Sequence, residues 1–64
     1  MCLLKVYLKD EKMGKRLIAR DVVFTSKEGG TIKLRDLNLE ETTLENVDII
    51  SIDALNSVLL LESK

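Results

Sequence analysis

Histidine and proline are both absent from this 64-residue chain, and cysteine occurs once, at position 2. Without histidine a single chain cannot assemble a zinc-finger or zinc-enzyme ligand set, and no nucleophile has an identifiable base for a dyad or triad. One cysteine excludes an internal disulfide and fits a reducing compartment. Gly-rich phosphate loops of the GxGxxG and P-loop types and the HExxH metalloprotease pattern are missing as well. These absences together argue against an enzyme. No Pro- or Ser-rich linker, internal repeat or low-complexity tract interrupts the chain, so residues 1–64 read as one small domain. No apolar run approaches the ~20 residues needed to span a bilayer, and Lys5 and Lys9 break up the apolar opening, which therefore lacks a signal peptide's pattern. The expectation is a soluble, cytoplasmic protein.

A domain this short buries only ~60% of the surface its unfolded chain exposes, which makes oligomerisation a natural source of added stability. The formal charge of −1 hides a strong asymmetry. Residues 1–35 hold nine basic and four acidic side chains, whereas residues 36–64 hold one lysine and seven acids. Such a split can mark a nucleic-acid surface, but strands from the two halves that pair with each other would place opposite charges face to face with no outside partner.

What the chain does contain is strand signal. From Leu3 to Lys9 the side chains alternate, with Leu4, Val6 and Leu8 on one face and Lys5, Tyr7 and Lys9 on the other. "DEKMGK" supplies a turn in which Gly14 can take positive φ, and Arg16 to Ser26 carries the β-formers Val22, Val23, Phe24 and Thr25. "KEGG" makes the next hairpin, and Ile32 and Leu34 alternate with Thr31, Lys33 and Arg35 in a third strand. Asp36 to Val47 has some helical spacing and a capping Asp36, but Thr42 and Thr43 favour extended backbone, predicting an irregular loop with a short strand at Thr42 to Leu44. Val47 to Asp53 and Val58 to Glu62 are the last two strands, joined by the turn "ALNS". Six short strands with Gly-bearing turns predict a small all-β domain, a curled sheet or partly open barrel of the SH3-like or OB-like kind with little or no helix.

The final strand is apolar on both faces, because Val58, Leu59, Leu60 and Leu61 are consecutive. One small core cannot cover both sides, which predicts a homodimer interface at Val58 to Leu61.

Cys2 is the one soft ligand in the chain. When residue 2 is small the initiator methionine is commonly removed, and Cys2 would then join its thiolate to a free α-amine in one short chelate ring. A thiolate with an amine or a deprotonated backbone amide suits Ni(II) or Cu better than Mg or Ca. A single chain supplies too few ligands, and a two-fold dimer with its N-termini together would complete the set. A lone cysteine is more often a small buried hydrophobe than a ligand. Glu40 and Glu41 are adjacent acids of a polar loop, a pattern that is usually just solvated. Lys5, Tyr7 and Lys9, joined by Lys33 and Arg35, form a second candidate surface, a stacking residue among phosphate-binding cations that would suit single-stranded RNA.

The opening "MC" with its "KVYL" strand, the glycines of "EGG", the strand "IKLRDL" and the tail "LENVDIISIDALNSVLLLE" together resemble the CooT family. These are small cytoplasmic proteins of anaerobic bacteria and archaea, described also as predicted RNA-binding proteins. The resemblance implies a homodimeric β-protein that binds nickel through Cys2 near the two-fold axis, with the backbone nitrogen of Leu3 as its neighbour. It also implies a client, carbon monoxide dehydrogenase, into which nickel is inserted. Asn56 stands where many relatives have a histidine. The hydrogenase maturation chaperones also begin Met-Cys, but their Ile/Val-Pro-Gly continuation has no counterpart in a chain without proline.

Overall fold

The computed structural model describes residues 3–64; Met1 and Cys2 lie outside the described residues. Each run of alternating β-formers becomes a strand: β1 (Leu4–Asp10), β2 (Gly14–Glu28), β3 (Thr31–Asp36), β4 (Glu41–Glu45), β5 (Val47–Asp53) and β6 (Val58–Ser63). Among the described residues no helix is long and apolar enough to cross a membrane. The strands form one six-stranded sheet in the order β4-β3-β2-β1-β6-β5. Every neighbouring pair is antiparallel except β1 with β6, which run parallel.

The sheet curls without closing. Its two edge strands, β4 and β5, are linked through Asn46 alone and do not pair with each other. At the link, the Gly30 carbonyl in the β2–β3 turn accepts hydrogen bonds from the N–H groups of Asn46 (2.9 Å) and Val47 (3.3 Å), drawing the start of β5 back toward the β2–β3 hairpin. This is the all-β, partly open architecture that the strand spacing predicts.

β2 is two residues longer at each end than its β-formers imply, because it serves two neighbours in succession. Its first part pairs with β1 as far as Val22, and from Val22 onward it pairs with β3. Register shifts accompany this hand-over on both sides, and Asp21 adopts φ 55° within it. An extra residue of this kind bends a strand and increases its twist, which curls the sheet. The expected turn at Gly14 is also present, with φ 73° in space that would admit a side chain, so the demand there is on the backbone alone.

Asp36 caps a tight loop instead of a helix. Its Oδ1 accepts from the N–H groups of Asn38 (2.8 Å) and Glu40 (3.0 Å), which holds Leu39 at φ 67°. The threonines that argue for extended backbone then lie in β4, which runs one residue beyond Thr42–Leu44 at each end.

The core consists of Val6, Val22, Ile32, Leu34, Val47, Leu59 and Leu61, drawn from five of the six strands. No polar or charged residue is buried with them among the described residues. Alternation divides the last strand cleanly: Leu59 and Leu61 point into the core, while Val58 and Leu60 occupy the outer face and are half-buried. Replacing Leu61 with alanine is therefore expected to cost about 2–5 kcal/mol, as for other fully buried leucines. Leu60→Ala should cost under half as much, and urea titration of the two variants checks which side of β6 faces inward.

Candidate metal site and outer sheet face

The start of β1 is the point to which any N-terminal ligand is attached, and it is held on both sides. Leu4 pairs with Val22 of β2, and the Lys5 N–H donates to the Ser57 carbonyl at 2.9 Å, just before β6 begins. Two further segments gather at this end of the sheet. The Leu37 N–H donates to the Asp21 carbonyl at 2.9 Å, which brings the β3–β4 loop beside the bent part of β2. The β5–β6 turn contributes Asn56, whose backbone N–H reaches Asp53 Oδ1 at 3.1 Å and whose side-chain Nδ2 donates to Asp53 Oδ2 at 2.9 Å. The position that attracts notice for lacking a histidine is thus a turn-forming asparagine. These bonds, the Asn56 side chain first, hold the Asp53 carboxyl below its ordinary 3.8.

Cys2 itself lies outside the described residues. Among the described residues no group of three or more His, Cys, Asp or Glu side chains is placed to hold a metal ion.

The five residues of the cationic surface are divided. Lys5, Tyr7 and Lys9 share the outer face of β1, as their alternation predicts. Lys33 and Arg35 also face outward, but on β3, which pairs with the later half of β2, whereas β1 pairs with the earlier half. Each aromatic ring already has its own cation. Lys15 Nζ lies 5.1 Å from the centre of the Tyr7 ring, and the Arg35 guanidinium lies 5.4 Å from that of Phe24. Arg35 also pairs with Glu41 across the β3–β4 ladder at 2.7 Å, which lowers the Glu41 carboxyl from its ordinary 4.5. Neither Lys15 nor Phe24 stands out in the sequence, because their partners are cross-strand neighbours that only register reveals.

Some of the charge asymmetry is settled internally. Arg35–Glu41 and Lys27–Asp48, the latter at 3.9 Å, each join the basic first half to the acidic second half, and Lys64 adds a second cation to Asp48 at 3.5 Å. On the outer face a transverse row runs Leu17, Tyr7, Leu60, one residue each from β2, β1 and β6 in register.

A family model described as CO dehydrogenase accessory protein CooT matches residues 1–62. The chain belongs to the CooT family. No curated protein matches it. A CooT-family chain is an accessory to CO dehydrogenase and is not itself the catalyst. The Met-Cys opening and the "IISID" tail both fall inside the matched span.

Because the folded-state Asp53 carboxyl is the more acidic form, its bonds to Asn56 stabilise the fold above its ordinary 3.8 and fade as pH falls through the lower folded value. Asp53→Ala should lower the melting temperature at neutral pH, and thermal melts of variant and parent should converge on acidification below about pH 4.

Proposed function

We propose that this chain is a homodimeric nickel-binding accessory protein, which holds Ni(II) through the Cys2 thiolate and the Leu3 backbone nitrogen of each copy for delivery to CO dehydrogenase. The family match carries the reading. The chain's chemistry supports it: Cys2 is the only thiol, histidine is absent, and a thiolate with a deprotonated backbone nitrogen is the donor pair that a square-planar Ni(II) ion takes. Leu4, two positions along the chain from Cys2, is paired with Val22, so a ligand set at this terminus would be attached to a fixed strand. Nickel is the cargo in this reading. The cytoplasm, where a lone thiol stays reduced, is its proposed location.

Dimerisation is proposed through the outer face of β6 and β1. Leu60 lies there in a row with Tyr7 and Leu17 that one copy leaves partly exposed, Val58 lies one row away beside Lys5, and Leu59 and Leu61 fix the strand from beneath. A two-fold contact across this row would double the apolar cover over a strand that is hydrophobic on both sides. Light scattering at micromolar concentration is expected to give a mass near twice the 7.2 kDa chain, and Leu60→Glu to return it to that of one chain.

Titration of the reduced protein with Ni(II) tests the metal directly. A sulfur-to-nickel charge-transfer band saturating at one metal per two chains is expected, and Cys2→Ser should abolish it. An RNA-binding protein would behave otherwise, with affinity for single-stranded RNA falling steeply with salt. That affinity would be lost on replacing Lys5, Tyr7 and Lys9 but not Cys2, and such a result would displace the nickel reading.

A further inference from the structure

The open edge of the sheet carries a pattern that neither the core nor the nickel reading uses. β5 pairs with β6 on one side only, and beyond the Val47 N–H no described strand covers its other side. Its sequence, VDIISID, is rich in strong β-formers, yet Ile50 and Ile52 are 42% and 64% exposed. A register shift between Ile49 and Ser51 places Ile50 at a bulge. An uncovered edge with exposed isoleucines is a template for another strand, and proteins normally blunt such an edge.

The distribution of charge identifies what would cover it. Both edge strands are purely acidic: β4 carries Glu41 and Glu45, β5 carries Asp48 and Asp53, and neither carries a base. The basic residues of the sheet lie on its central strands, among them Lys5, Lys9, Lys15 and Arg20. Glu41 and Asp48 are already paired, with Arg35 and with Lys27 and Lys64, but Glu45 and Asp53 are in no ion pair among the described residues, so edge-to-edge pairing of two copies would add acid to acid with no base on either edge, and like charges facing each other across strands are destabilising. An extended segment with alternating apolar residues and flanking lysine or arginine meets the opposite condition. Its side chains would cover Ile50 and Ile52 while its cations approach Asp53 and the neighbouring acids of the edge.

We propose that the free edge of β5, from Asp48 to Asp53, is the docking edge of this protein for a basic, extended segment of its client enzyme, which adds a strand to the sheet. Recognition of this kind takes affinity from main-chain hydrogen bonds and selectivity from alternate side chains. The inference rests on the accessory role proposed above and assigns the client's contact to a different surface from both the N-terminal ligands and the β6–β1 outer face.

Hydrogen–deuterium exchange of the full-length protein, with and without purified nickel-free CO dehydrogenase, tests it. Alternate amides between Ile50 and Asp53 are expected to slow at least tenfold in the mixture. The variants Ile50→Lys and Ile52→Lys, at exposed positions, should each weaken binding about tenfold or more while leaving nickel titration unchanged. Cys2→Ser should do the reverse, losing nickel but keeping the protection, so failure of the metal reading and failure of this one are separable. Unchanged β5 amides in the presence of the enzyme would overturn the proposal. So would protection confined to the Lys5–Lys9 face, or a protein-alone assembly that Ile52→Lys dissolves, which would make a second copy the occupant.

Discussion

The parallel pairing of β1 with β6 is the constraint on which the rest of the domain depends. It brings the first and last strands of the chain together at the middle of the sheet, so that the hairpin halves β2–β3–β4 and β5–β6 become one surface. The register of this pair sets Val6 beside Leu59 and Leu8 beside Leu61 on the inner side, and Tyr7 beside Leu60 on the outer side. A slip of one residue would reverse both sets, turning the core leucines to solvent. The same pairing anchors the start of β1 through the bond from Lys5 to Ser57, and with it the base of any N-terminal ligand.

Local structure was largely readable in the sequence. Period-2 alternation marks β1 and β3, a continuous apolar run marks β6, the threonines mark β4, and glycine marks the turn at Gly14, since each of these is decided by a few neighbouring residues. Three features lie beyond such local signals. The partnership of β1 with β6 joins segments at opposite ends of the chain, and nothing in either segment names the other. The bend in β2 depends on Asp21 accepting an unusual backbone angle where two ladders meet, although aspartate tolerates that region better than most residues. The cations over Tyr7 and Phe24 follow from register, which the sequence of one strand does not contain.

The candidate sites were legible to different degrees for equally physical reasons. Cys2 is conspicuous through rarity, being the only soft donor in a chain that has no histidine. The cationic platform proves to be two separate groups, because Lys33 and Arg35 belong to a strand that meets only the later part of β2. Asn56, conspicuous as a departure from a family pattern, is tied to Asp53 and helps to shape the turn beside Ser57. What composition alone could not convey is that both edge strands, β4 and β5, come from the acidic half of the chain, while the basic residues of the sheet lie on β1, β2 and β3.

The two strands of the parallel pair are also far apart in time. Residues at the start of β1 are made long before β6, the parallel neighbour with which Lys5 pairs. Closing a loop of this length is an entropic cost met only when the final strand arrives. Until then β1 lacks its parallel partner and the core lacks Leu59 and Leu61. The start of β1, held by β2 through Leu4 and Val22, therefore gains its second anchor only once β6 has been made, so that its fixing on both sides belongs to the folded domain and not to the nascent chain.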